Sequence, residues 1–154
     1  MSYILEIPVV HFLDDLEKDF IRAIPVYSDR SYRGFRHIVY KVNDEDFVYF
    51  YLLEKQEDHF VQSVWERIIP KAPFTVFLIE EINNATQELI ERYKQKYSTP
   101  YFIFRPFPGG AKGVMKSNDG EDMFSFNPQD ENGITKTLLD ALKRYSQISV
   151  AETT

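Results

Sequence analysis

The sequence predicts an α/β fold: a three-layer sandwich with helices on both faces of a mixed central sheet. Three observations carry this. Strand-like runs rich in β-branched and aromatic residues alternate with segments of helical spacing. The length of 154 residues suits one hydrophobic core. An apolar fraction of 44%, with 16% aromatic, is too rich for a disordered chain. A single domain over residues 1–148 is expected, followed by a flexible tail from Ser149 to Thr154.

The elements follow in order. Tyr3 to Val10 has strand composition, and Pro8 predicts a short or edge strand. Phe12, Leu13, Leu16, Phe20 and Ile24 stand at helical spacing, and Pro25 stops that helix. Tyr27 to Lys41 is basic and aromatic, and its spacing decides neither helix nor strand. Asn43 to Asp46 is a polar break before Phe47 to Leu53, which reads as a buried strand. Asp58 can cap a helix reaching about Ile69, with Phe60, Val61, Val64, Trp65, Ile68 and Ile69 on one face. Pro70 and Pro73 bracket its exit, and Phe74 to Ile79 is a second buried strand. Asn84 and Gln87 have the spacing of a capping box opening a helix through Leu89, Ile90, Tyr93 and Tyr97. Pro100 to Phe104 is a third strand, and Gly109-Gly110 marks a turn. Val114-Met115 and Met123 to Phe126 are weaker strands around Ser117 to Gly120. A last helix opens near Gly133 and carries Ile134, Leu138, Leu139, Leu142 and Tyr145.

Composition excludes several chemistries. There is no cysteine, so disulfides, thiol catalysis and Cys-ligated metals are ruled out. A net charge of −6 argues against general nucleic-acid binding. Met1 to Pro8 has no basic leader region, and no run approaches the ~18–20 apolar residues of a bilayer span, so a cytoplasmic protein without a membrane partner is expected. His11, His37 and His59 share no metal-ligand spacing, no nucleophile elbow occurs, and Pro108 to Gly113 lacks phosphate-loop spacing. No cofactor, metal or catalytic residue is therefore assigned.

The order of elements from about Glu45 to Tyr145, with the step Ser98-Thr99-Pro100, resembles the thioredoxin-like fold. Trp65 sits where members of that family often carry an aromatic residue. The resemblance implies a cis Pro100 beside a peptide-binding loop and places the redox position at Leu53 to His59. That stretch has no cysteine, so the redox chemistry is excluded and only a binding surface could survive. Two other readings draw on resemblance. Asp46, Glu54 and Gln56 around one strand resemble the metal site of PD-(D/E)xK nucleases. The same alternation, with an antiparallel pair between Phe35–Val42 and Phe47–Leu53, resembles a degenerate small GTPase without a phosphate loop. A helix at Phe35–Val42 favours the thioredoxin-like reading, and a strand favours the other two.

The sharpest local feature is the basic and aromatic run Tyr27 to Lys41, where Arg30, Arg33, Arg36, Lys41 and His37 alternate with Tyr27, Tyr32, Phe35 and Tyr40. Guanidinium forks and aromatic faces suit an acidic peptide, while the plainer reading pairs these arginines with the protein's own carboxylates. The leading expectation is a non-catalytic interaction module. It binds another protein or peptide, including one with an acidic segment, through His59, Phe60, Thr99, Pro100, Arg33, Arg36 and Lys41. A homodimer through an exposed strand edge is compatible with this pattern.

Overall fold

A computed structural model describes residues 3–11, 13–55, 58–107, 114–116 and 122–153, with side chains left aside at 114–116 and beyond residue 148. The chain runs β1 (Tyr3–His11), α1 (Asp14–Arg22), β2 (Val26–Tyr32), β3 (Phe35–Lys41), β4 (Asp46–Leu53), α2 (His59–Ile68), β5 (Thr75–Leu78), α3 (Asn84–Lys96), β6 (Tyr101–Pro106), β7 (Val114–Lys116), β8 (Asp122–Phe126) and α4 (Gly133–Thr153). The strands form one sheet in the order β2-β3-β4-β1-β5-β6-β8-β7. The pairs β1–β4, β1–β5, β5–β6 and β6–β8 are parallel. The pairs β2–β3, β3–β4 and β7–β8 are antiparallel. The mixed α/β sandwich expected from the sequence is present.

Two layers of core follow from strand pleating. One face of the sheet buries Ile7, Val9, Ile38, Phe50, Leu52 and Phe104 against Leu16 and Phe20 of α1 and Ile134, Leu138 and Ala141 of α4. Phe20 stands edge-on to Phe50 at 5.1 Å and to Phe126 at 5.9 Å, an arrangement that matches ring edges to ring faces. The opposite face buries Val10, Leu53, Phe77 and Ile103 against Val61, Val64 and Trp65 of α2 and Ile90 and Tyr93 of α3. Gly133 opens α4 where no larger residue fits, because a Cβ there would lie 2.2 Å from the Asn127 carbonyl oxygen. Beside it, the Ile134 N–H donates to the Ala23 carbonyl at 2.9 Å, tying α4 to the end of α1.

Several sequence expectations need correction. Phe35–Lys41 is a strand, paired from Phe35↔Leu53 to Lys41↔Phe47, and not the helix that would have favoured the thioredoxin-like reading. Among the described residues every peptide bond is trans, Pro100 included. Pro8 lies in a central strand; it is accommodated because β5 joins β1 only from Val9 onward, leaving no ladder to break on that side. The cap of α3 is Asn83 with Thr86, one residue before the expected pair: the Asn83 side chain accepts from the Thr86 N–H at 3.0 Å and Thr86 Oγ1 accepts from the Asn83 N–H at 2.8 Å. The Asp58 cap is as expected, accepting from Val61 N–H at 2.8 Å. Gly109-Gly110 and Ser117 to Gly120 lie outside the described residues.

Candidate interaction face

Pleating sorts the basic segment before any site can form. Side chains at alternate positions of β3 point to opposite faces. Arg36 shares the α1/α4 face with Ile38 and Tyr40, whereas Phe35, His37 and Lys41 share the other. On the first face Arg36 makes a two-pronged contact with Asp29 of β2, Nε to Oδ1 at 2.9 Å and Nη2 to Oδ2 at 2.6 Å. Its Nη1 donates to Glu17 Oε1 at 3.1 Å. Glu17 also meets His11 Nε2 at 3.2 Å. The His11 hydrogen bond leads in holding the Glu17 carboxyl below its usual range, with Arg36 assisting, and Arg36 does the same for Asp29. Arg36 is thus consumed by the protein's own carboxylates.

This network lines a cleft of about 450 Å³ at the carboxyl ends of β1 and β4, shared by His11, Asp14, Glu17, Arg36, Glu54 and Lys55. Ligand atoms of His11, Asp14 and Glu17 lie within 4.8 Å of one another, the one such group among the described residues. The Arg36 guanidinium on Glu17 already supplies the positive charge that a cation would bring, and would repel one. Asp14, Asp15 and Glu17 also occupy the first turn of α1, where carboxylates suit the positive end of the helix.

The opposite face of β2, β3 and β4 differs in kind. α2 and α3 cover β1, β5, β6 and the carboxyl end of β4, with Phe35 and Tyr51 packed at their margin, and leave the rest of this part of the sheet half-open. Rings follow one another across it: Tyr32 stacks on Phe35 at 5.1 Å, Phe35 meets Tyr51 at 5.6 Å, and His37 contacts Tyr51 at 5.1 Å and Tyr49 at 4.8 Å. Tyr27 approaches Phe47 at 6.1 Å. The Tyr51 hydroxyl donates to Glu6 at 2.7 Å, and burial together with that carboxylate pushes the phenol well above its usual range. Burial also lowers His37, with Arg30 adding to the effect and Glu6 opposing it. Cations edge the strip. Lys41 lies 5.4 Å from the Tyr27 ring, and Arg33 lies 4.0 Å over the Phe60 ring.

The expected site residues therefore separate. Arg33, at the β2–β3 turn, and Phe60, at the head of α2, come together with His59 beside them, and Lys41 marks the far end of the same face. The turn is held there because Gly34 adopts φ +95°, and a Cβ on it would sit 2.9 Å from Val64 Cγ2. Thr99 and Pro100 belong elsewhere. Thr99 Oγ1 donates to the Ile69 carbonyl at 3.0 Å, its own carbonyl accepts from Tyr93 at 2.9 Å, and the Pro100 carbonyl accepts from Thr75 N–H at 2.9 Å. These bonds fasten the amino ends of β5 and β6, at the opposite end of α2 from Phe60, so the proline has a structural task. The nuclease arrangement fails on length. Asp46 and Glu54 flank the whole of β4, eight residues apart and hence about 26 Å at ~3.3 Å per residue, too far to share a metal. Gln56 lies outside the described residues.

Sequence reasoning missed Phe47, Tyr49 and Tyr51 as a surface. The signal was present in β4 itself, where tyrosines alternate with the aliphatic or phenylalanine positions Val48, Phe50 and Leu52. A phenol hydroxyl seeks a polar partner, so tyrosine at every second position marks the wetter face.

Among solved structures the chain is similar to the small GTPase Arl6 (BBS3) of Trypanosoma brucei with the bound nucleotide analogue GppNp. The TM-score is 0.59 at 9% identity, covering 94% of this chain and 98% of that one. The likeness is one of fold. It replaces the thioredoxin-like expectation and agrees with the antiparallel β3–β4 pair on which the GTPase-like alternative rested. A protein described as a methylthioadenosine nucleosidase, from Weissella paramesenteroides, aligns over 83% of this chain and 77% of its own at 6% identity with a TM-score of 0.33, too low to bear on the fold. No family model and no curated protein matches the sequence.

Proposed function

We propose that this protein is a GTPase-like α/β domain that holds no nucleotide and works as a protein-interaction module through the open face of β2, β3 and β4. One observation carries the reading: the connection from β1 into α1 has no glycine and leads into Asp14, Asp15 and Glu17. In open α/β sheets ligands collect at the carboxyl ends of the strands, and a phosphate there needs a glycine-rich turn, free backbone N–H groups and a helix head without opposing charge. Here a phosphate would face carboxylates, with the nearest guanidinium, Arg36, engaged by two of them. The similar small GTPase carries a nucleotide analogue, whereas this sequence has no glycine between β1 and α1 to form a phosphate-binding turn. The aromatic strip edged by Arg33 and Lys41 supports the interaction role, since aromatic and arginine side chains dominate binding hot spots.

The test is titration of the full chain with fluorescent GDP, GTP and ATP analogues in the presence of Mg²⁺. No saturable signal is expected at up to about 1 mM nucleotide, which corresponds to binding weaker than about 4 kcal/mol. A micromolar dissociation constant for any of the three would overturn the reading.

A further inference from the structure

We propose that β2 is a docking edge for an extended peptide of another protein whose alternate side chains are carboxylates. The inference rests on the interaction-module reading and deepens it by naming the edge, the binding mode and the ligand chemistry. β2 is the outermost strand of its side of the sheet, and six of its seven residues are exposed. Among the described residues it has one strand neighbour, β3, so the main-chain groups along its outer side are available to an added strand.

The side chains define what that strand would carry. Arg30 and Tyr32 pair with His37 and Phe35 and so lie on the open aromatic face. Arg30 makes no ion pair among the described residues, whereas Asp29, on the other face, is already neutralised by Arg36. An added strand therefore meets an unsatisfied positive charge on one face and a compensated negative charge on the other. A carboxylate directly across from Arg30 comes within ion-pair reach. Arg33 extends the positive character at the turn end, while Lys41 at the far end is already paired with Asp44 at 3.5 Å.

A second copy of this chain fits less well. A two-fold axis normal to a continuous sheet preserves its faces, so symmetric antiparallel registers centre on a residue and not between two residues. The register using all seven residues sets Asp29 against its own copy, moving the centre one residue toward Tyr32 sets Arg30 against its own copy, and moving it the other way centres the pair on Ser28, where the register shift between Val26 and Ser28 breaks the regular strand. Like charges directly opposite destabilise a strand pair.

The test uses the full ¹⁵N-labelled chain and two end-capped ten-residue peptides, one alternating valine with glutamate and one alternating valine with lysine. The glutamate peptide is expected to shift the amides of residues 26–32 saturably, with affinity falling as salt rises, and to bind at least tenfold more tightly than the lysine peptide. Arg30→Glu should remove that preference, and Arg30→Gln, which introduces no repulsion within the hairpin, should weaken the glutamate peptide about tenfold. Equal affinity for both peptides, no binding of either, or shifts centred on Asp14 and Lys55 would overturn the assignment of the edge. The nucleotide titration is a separate readout, so failure of the edge and failure of the nucleotide-free reading are told apart.

Discussion

Arg36 and His37 are neighbours in sequence with opposite consequences for acid stability. Glu17 and Asp29 have lowered folded-state pKa values, so their contribution is present above the usual carboxylate range and is lost as pH falls through the folded values. His37 is lowered by burial, so the unfolded chain takes up a proton first, and stability begins to fall as pH drops below the usual 6.5. Urea midpoints measured between pH 7 and pH 3 should therefore decline in two stages. His37→Phe should flatten the upper stage, and Arg36→Gln should blunt the lower one. At neutral pH Arg36→Gln should cost about 1 kcal/mol, because its contacts with Asp29 and Glu17 are charge-assisted but partly screened by solvent. The existence of a basic cluster could be read from the sequence. Its division could not, because helix and strand assign Arg30, Arg33 and Arg36 to different faces, and residues 27–41 alone do not choose between them.

At the scale of the element, the β2–β3 hairpin and α2 depend on each other through one glycine. Gly34→Ala should cost about 1–3 kcal/mol, from a disfavoured φ together with the approach to Val64 and Phe60, and lower Tm by several degrees in a calorimetric scan. Asn83→Ala removes one half of the α3 capping box and should cost about 1 kcal/mol by chemical denaturation. Elements whose residues point one way on every criterion were legible: α2 has a cap, a single apolar face and prolines after it, and β5 is buried throughout with three of its four residues apolar. The α3 cap was displaced by one because Asn83 and Asn84 are chemically identical candidates, and Thr86 decides between them through its hydroxyl. Pro8 misled because the rule against proline in central strands assumes ladders on both sides along the whole strand, and β1 has the second only at its carboxyl end.

For the whole molecule, strand order was the part least available to reading. Alternation of strands and helices fixes the class but is shared by several topologies, and here the decision rested on one ambiguous segment becoming β3. Placing that strand moved the chain from a thioredoxin-like arrangement to a GTPase-like one and divided the expected site, with Thr99 and Pro100 at one end of α2 and Phe60 with Arg33 at the other. The charge pattern of β2 also bears on assembly. Sedimentation at tens of micromolar should give a monomer, and a dimer abolished by Arg30→Glu would instead point to self-pairing at this edge.

The bond between Asp29 and Arg36 has a consequence for folding fidelity. A hairpin that closed one residue out of step would turn every β2 side chain to the opposite face. Asp29 would leave Arg36, and Arg30 would take its place beside that guanidinium, exchanging a two-pronged attraction for a repulsion while also parting Tyr32 from Phe35. The correct alignment is thus rewarded and the nearest error penalised by the same pair of positions. The hairpin carries its own proofreading, within β2 and β3 alone.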